Sequence, residues 1–175
     1  MSTVIDFDRA WADTEIQVVS PNEQIFLTLV GDAEVRVSFA HGYVERTSYA
    51  LMVEQLVRLG RAAFAARTKA FYALRSEEAG EPVEPGTTGY SEESREYFRR
   101  LAELAAEGSS ADGSVRVASV GMTEFTVAFS PSLLDSLGPE GLASRLSEAG
   151  TALVHDQLAK VARLKLDVYY PDLRR

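Results

Sequence analysis

The pattern of residues 25–64 recurs 90 positions later in the 175-residue chain, and this repeat restricts what the chain can fold into. The two stretches align without a gap. The matched positions are a turn glycine, the alternating apolar residues of strands and the apolar side of a helix. The clearest pairs are Gly31 with Gly121, Val37 with Val127, Phe39 with Phe129, Leu56 with Leu146 and Gly60 with Gly150. Since packing constrains such positions, we predict a duplicated strand–strand–helix unit; chance similarity of two amphipathic stretches is the alternative.

Alternation of apolar and polar residues predicts the strands. In the first half we expect strands at 15–20, 24–30 and 33–39, with a turn at Ser20-Pro21-Asn22 and another at Gly31-Asp32. In the second half we expect a hairpin of strands 114–120 and 123–129. Each hairpin would bury one face.

Three stretches have helical periodicity. Long helices are predicted over 48–77, with Ser48 as N-cap, and over 142–165. An acidic helix is predicted over 91–107, followed by a loop over 108–113. Gly60 lies inside the first long helix, where glycine is unfavourable, so it is expected to mark a close helix–sheet contact.

The repeat and a Pro- and Gly-containing segment divide the chain into a first unit at 1–78, a linker at 79–90 and a second unit at 91–175. A small sheet with one helix has open edges and a thin core. We therefore predict an α+β protein whose two units pack as an intramolecular pseudo-dimer.

Composition narrows the classes of function. The chain has 46% hydrophobic residues, no cysteine and a formal net charge of −8. No apolar run reaches the length of a membrane span, and residues 1–13 carry Asp6, Asp8 and Asp13 in place of a signal-peptide pattern. We expect a cytoplasmic protein without disulfides, and the acidic balance disfavours nucleic acid as a partner.

No constellation of catalytic residues is found. The two histidines, His41 and His155, are far apart in sequence, and a metal site normally needs three or four convergent ligands. The chain contains no G-x-S-x-G elbow, no Walker-type phosphate loop and no G-x-G-x-x-G motif. The sequence therefore predicts no enzyme activity, no metal and no cofactor.

One charged feature is a candidate binding face. Residues 55–76 contain no Asp or Glu, and Arg58, Arg61, Lys69 and Arg75 share an arc of the predicted helix, opposite its apolar stripe. We call these four residues the basic arc. It could contact phosphates or an acidic protein segment. The alternative is a solvent-exposed face without a binding role, whose charges pair with neighbouring glutamates. The second long helix does not repeat the arc, which counts against DNA.

The second unit resembles the YbaB/EbfC family. The similarity is carried by 112–117, Gly121, 125–129, the turn Ser130-Pro131-Ser132-Leu133-Leu134 and 138–142. Ser130 stands where the family usually has Asp. The first unit resembles the family more loosely, through 20–23 and the run of strand, Gly31 and strand, and has His41-Gly42-Tyr43-Val44 in place of the Pro-x-Leu-Leu turn.

The resemblance implies a dimer-forming α+β fold and a role without catalysis. Family members are nucleoid-associated DNA-binding proteins, and similar proteins of the EspD/EspH/EspL group accompany type VII secretion in actinobacteria. The tandem arrangement and the composition resemble actinobacterial proteins. The leading hypothesis is a cytosolic protein-binding helper, chaperone-like or scaffold, linked to type VII secretion, whose partner is a secretion substrate or a second copy. The alternative is a DNA-binding protein that uses the basic arc.

Overall fold

Two three-stranded antiparallel sheets and two long helices build the protein, which is therefore α+β as predicted. The computed structural model describes residues 6–32, 34–85 and 91–174. The first half contains α1 (Phe7–Ala12), β1 (Glu15–Val19), β2 (Ile25–Val30), β3 (Glu34–Phe39), α2 (Tyr43–Arg46) and α3 (Tyr49–Ala79). The second half contains α4 (Glu92–Ala102), β4 (Ala105–Ser109), β5 (Val115–Val120), β6 (Glu124–Phe129), α5 (Leu133–Ser136), α6 (Gly138–Tyr169) and a 3-10 turn (Pro171–Arg174).

The second half repeats the order of elements of the first half. Strands β4, β5 and β6 begin and end 90 positions after β1, β2 and β3, and α5 lies 90 positions after α2. The strand registers also correspond, since Ile25 pairs with Phe39 in one sheet and Val115 pairs with Phe129 in the other. The predicted repeat is thus present in the secondary structure as well as in the sequence.

A buried serine closes the first turn of each sheet. The Ile25 N–H donates to Ser20 Oγ at 3.0 Å, and the Val115 N–H donates to Ser110 Oγ at the same distance. Both serines are almost fully buried, with exposed fractions of 2% and 4%. The hydroxyl satisfies a buried backbone donor that would otherwise lack a partner. The predicted turn at Ser20 is confirmed, and the same turn recurs at Ser110.

The second of these turns also holds a fixed carboxylate. Asp112 accepts hydrogen bonds from the hydroxyl and the N–H of Ser114, from the hydroxyl of Ser110 and from Arg145 Nε, which lies 2.8 Å away. These bonds, those from Ser114 above all, keep the pKa of Asp112 far below its usual value. Arg145 belongs to α6, so the ion pair connects this turn to the long helix.

Both halves contribute to one hydrophobic core. Ile25 and Val115 of the central strands are fully buried, and so are Met52 of α3 and Leu142 of α6. Helix α3 contacts β1 of its own half and β6 of the other half, while α6 contacts its own β4 and β3 of the first half. Each long helix therefore packs on strands from both halves.

Gly60 marks a close helix–sheet contact, as predicted, but the strand belongs to the second half. A Cβ at Gly60 would lie 3.1 Å from the ring of Phe125 in β6. A Cβ at Gly150 would lie 2.9 Å from a methyl group of Val35 in β3. The repeat matches Gly60 with Gly150 and Val35 with Phe125, so the two contacts are reciprocal.

The helix predicted over 91–107 is present but shorter, and the loop predicted over 108–113 is confined to residues 110–113. Helix α4 ends at Ala102, and 105–109 form the edge strand β4. The sequence AAEGS has little intrinsic strand preference. It is a strand because all five residues pair with β5 and because α6 lies against it. There Asp156 Oδ2 accepts from the Glu107 N–H at 2.9 Å and Lys160 Nζ donates to the Ala105 carbonyl at 3.0 Å. Tertiary contacts override the local preference here.

The other boundaries lie near the predicted ones. Ser48 and Ser91 cap α3 and α4, since they accept from the Leu51 and Ser94 N–H groups at 3.2 and 3.1 Å. Helix α6 begins before the predicted 142 and ends after 165, and the short helix α1 was not predicted. Of the predicted linker 79–90, residue 79 ends α3 and residues 86–90 lie outside the described residues.

Candidate interaction surfaces and a central cavity

The structure does not gather the basic arc into a free cationic face. Arg58 pairs with Glu54 of the same helix at 2.7 Å. Arg61 Nε donates to the carbonyl of Thr123, next to β6, at 3.1 Å. Lys69 is exposed. All four residues lie on α3 as predicted, but three of them, Arg58, Arg61 and Arg75, have separate partners within the chain.

Arg75 departs most from the predicted placement opposite the apolar stripe. Its guanidinium carbon lies 3.6 Å from the centroid of the Phe7 ring, and Phe7 is buried in the core. Arg75 also pairs with Glu78 at 2.7 Å. Side chains three or four residues apart share a helix face, and Arg75 follows Phe71, which packs against the same core cluster. Arg75 therefore helps to attach α1 to α3.

Arg67 is a charged residue that the sequence interpretation left out of the arc. Its guanidinium pairs with Asp32 and lies 5.5 Å from the centre of the Trp11 ring. The side chain is only 15% exposed, and its Nε has no hydrogen-bond partner among the described residues. The sequence holds a signal for this placement, because Arg67 follows Ala63 of the apolar stripe by four residues.

A small cavity lies between the two sheets and the two long helices. Its volume is about 90 Å³. Apolar side chains from both halves line it, including Leu27 and Val37 of the first sheet and the matched Val117 and Val127 of the second. Gly60 and Gly150 also line it, and among the lining residues that the structure describes only Arg67 has a polar side chain.

Four large apolar side chains are exposed where α6 ends. The exposed fractions are 51% for Leu166, 38% for Tyr169, 58% for Tyr170 and 75% for Leu173. We call these four residues the C-terminal apolar stripe. The second long helix was predicted to end at residue 165, although the spacing of these residues already has helical periodicity.

Helix α4 holds this end of α6 in place. The rings of Tyr97 and Tyr169 lie 5.6 Å apart, and the Tyr169 hydroxyl donates to Ser94 Oγ at 3.4 Å. Arg100 pairs with Asp167 at 3.6 Å. Burial raises the pKa of the Tyr97 phenol, and its neighbours Tyr169 and Tyr72 add to the shift. Leu166 and Tyr169 are therefore carried on a helix that packs against a second element, and Tyr170 and Leu173 follow directly after it.

The two histidines lie on different elements. His41 is exposed in the turn after β3, and His155 is exposed on α6. Within the described parts of the chain, no group of three or more His, Cys, Asp or Glu side chains is placed to hold a metal ion. The expected lack of a metal and a cofactor stays a prediction.

Among residues 6–32, 34–85 and 91–174, no helix is both long enough and apolar enough to cross a membrane.

Compared with known proteins, the chain matches no family model, no curated protein and no solved structure. The YbaB/EbfC resemblance therefore continues to depend on the sequence patterns that suggested it.

Proposed function

We propose that the protein is a cytosolic, non-enzymatic helper that binds a protein partner through the C-terminal apolar stripe. The observation that carries this proposal is the exposure of Leu166, Tyr169, Tyr170 and Leu173 in neighbouring turns. Single exposed apolar residues are ordinary on a protein surface, whereas a contiguous apolar patch marks an interaction site. Large aromatic side chains are also typical of the residues that dominate binding energies.

The chemistry of the stripe favours an amphipathic helix as the bound segment. Leu166 and Tyr169 lie one turn apart on α6, and Tyr170 and Leu173 continue the stripe beyond the end of that helix. An exposed apolar surface of this kind can dock against the apolar side of a partner helix. Arg163 and Lys165 are exposed on the same part of α6. Acidic residues beside the apolar face of the partner would complement them.

The binding surface is tested by two variants of equal chemistry. Leu166→Glu with Leu173→Glu places acids in the stripe, and Leu51→Glu places one at a similarly exposed position, 43%, near the start of α3. Tagged wild-type and variant proteins are purified from the native host, and a captured partner is then titrated against each in purified form. We expect the double variant to lose about tenfold or more in affinity and Leu51→Glu to bind as the wild type does.

If all three proteins bind the partner equally, or if none captures a protein, the stripe is not the docking surface. The resemblance to the EspD/EspH/EspL group leads us to propose that the partner is a substrate of type VII secretion. Identification of the captured partner decides that point, since a protein that is not secreted contradicts it.

DNA binding by the basic arc is the alternative that the sequence left open. It is the weaker proposal because Arg58, Arg61 and Arg75 have partners within the chain. A fluorescence anisotropy titration with duplex DNA at low and at physiological salt tests it. Tight binding that weakens steeply with salt would favour DNA over a protein partner.

We also propose that the two halves are related as the protomers of a symmetric dimer. In such an interface residue i contacts j while j contacts i. The reciprocal contacts of Gly60 with Phe125 and of Gly150 with Val35 support this arrangement. A Cβ at Gly150 would lie 3.3 Å from Val35 Cβ, slightly closer than the roughly 3.5–4.5 Å between the Cβ atoms of a disulfide, so a small separation of strand and helix would allow the bond.

Paired cysteines test this arrangement. Under mild oxidation we expect Val35→Cys/Gly150→Cys and Phe125→Cys/Gly60→Cys each to form a disulfide within one chain. Bonds that instead join two chains would indicate that the halves swap between molecules. Formation of only one of the two would contradict the symmetry.

A further inference from the structure

Arg67 lines the central cavity, and its buried Nε is a hydrogen-bond donor without an acceptor among the described residues. Of the described residues that line the cavity, all but Arg67 are apolar or glycine. A buried donor without an acceptor costs free energy, because it has lost its bond to water. An acceptor that enters the cavity would remove this cost.

The charge of Arg67 is already balanced. Asp32 pairs with its guanidinium, and Asp32 is the more exposed partner, with side-chain exposed fractions of 36% against 15%. With an anionic ligand, Arg67, Asp32 and the ligand together would carry a net negative charge, which a site of low polarity disfavours. A neutral oxygen would accept a hydrogen bond from Nε–H without that penalty.

The volume limits the size of the ligand. The cavity of about 90 Å³ is smaller than an engineered cavity of roughly 150 Å³ that binds benzene, and one water occupies roughly 30 Å³ in the liquid. The space therefore suits a chain of roughly three to five heavy atoms. Gly60 and Gly150 also line the cavity, and the strand opposite approaches each of them closely, since a Cβ on either would meet it at 3.1 or 2.9 Å.

We propose that the cavity between the two halves is a binding site for a small neutral amphiphile, a short aliphatic chain with a carbonyl or hydroxyl oxygen that accepts from Arg67 Nε–H. The chain would lie against the apolar side chains of both sheets. Because both halves form the walls, occupation of the cavity would stabilise the contact between them.

Methyl NMR with defined probes tests the site. The probes are 2-butanone, 2-methylbut-1-ene, which replaces the carbonyl oxygen by a methylene group, and butyrate, which carries a charge. We expect saturable shifts at the methyl groups of Leu27, Val117 and Val127, with 2-butanone dissociating at about millimolar concentration. The exposed Leu51 and Leu173 methyl groups should not shift, and butyrate should bind more weakly than the ketone.

Two variants separate the contributions. Gly60→Ala occupies part of the cavity and should weaken the ketone and the alkene alike. Arg67→Met removes the donor, so the preference for ketone over alkene should fall about fivefold to tenfold relative to the wild type, which corresponds to one hydrogen bond. Because the ketone-to-alkene preference is compared between variant and wild type, the difference in hydrophobicity between the two probes cancels.

The proposal fails if the wild-type protein shows no saturable shift, if the shifts fall outside the cavity, or if Gly60→Ala binds both probes unchanged. An unchanged ketone preference in Arg67→Met would overturn the role of Nε–H. Should Arg67→Met not fold, nuclear Overhauser contacts between bound 2-butanone and the Leu27 and Val117 methyl groups of the wild type decide the question. Their absence refutes the site.

Discussion

Replacing Gly108 by alanine would force β4 and α6 apart. A Cβ at this position would lie 2.2 Å from the Ala149 carbonyl oxygen and 2.3 Å from the Leu153 nitrogen. Both atoms belong to the backbone of α6, so no side-chain rotation relieves the overlap. Ordinary contact requires the strand and the helix to separate by about 1 Å, and overpacking of this kind typically costs 1–3 kcal/mol by itself.

The separation would also weaken the bonds that attach α6 to β4. The Glu107 N–H donates to Asp156 at 2.9 Å, the Ala111 N–H donates to Glu148 at 2.8 Å, and Lys160 donates to the Ala105 carbonyl at 3.0 Å. All three bonds are exposed, so each is expected to contribute near the lower end of about 0.5–1.5 kcal/mol. Together with the overlap, we expect Gly108→Ala to lower the free energy of unfolding by about 3–5 kcal/mol.

Urea unfolding followed by circular dichroism measures this loss, and a drop in Tm of about 10 °C should accompany it. Gly113→Ala is the matched control: its φ of +71° is unfavourable for alanine, but no atom lies within 4 Å of the added Cβ. We expect Gly113→Ala to lower the free energy of unfolding by about 1–2 kcal/mol. If Gly108→Ala costs no more than Gly113→Ala, the close approach of α6 to β4 is not what limits this position.

Three more perturbations follow from the contacts. In urea unfolding, Gly150→Ala should lower the free energy of unfolding more than Gly60→Ala does. The added Cβ meets a branched valine at 2.9 Å in the first case and a movable aromatic ring at 3.1 Å in the second. The reverse order would contradict this. Ser20→Ala and Ser110→Ala should each cost about 1–3 kcal/mol in the same assay, since each leaves a buried N–H unpaired, and unequal losses would argue against equivalent turns. Asp112→Asn should lower stability at pH 7, and the difference should become smaller as the pH falls below the unfolded pKa of about 3.9 towards the much lower folded pKa, so that it is smaller but still present at pH 3. A difference independent of pH would refute it.

The sequence predicts those elements whose own residues carry the periodic signal. The central strands and both long helices have regular patterns, and Gly60 could be recognised because glycine is unfavourable inside a helix. Strand β4 could not be found in this way, because its edge is stabilised by Asp156 and Lys160 of α6, about 50 residues away.

The candidate binding surfaces, too, could be predicted from the sequence only where local patterns determine them. The helical angle placed four basic residues on one arc, but their interactions depend on which elements lie beside α3, and no local pattern contains that information. Arg75 lies against Phe7 and Arg61 bonds to Thr123, both through tertiary contacts. The cavity depends on contacts between the halves, so it too required the three-dimensional structure.

The way in which α6 closes on β3 affects how the chain can fold. The Val35 N–H donates to Thr151 Oγ1 at 3.0 Å, and the Val37 N–H donates to Ser147 Oγ at 2.9 Å, across 116 and 110 residues of sequence. During synthesis the edge of β3 is therefore made long before the helix that covers it. Contacts of such long range form slowly, and a strand edge without a partner can pair with another chain in the meantime. The first half is thus exposed to misassembly until α6 reaches it.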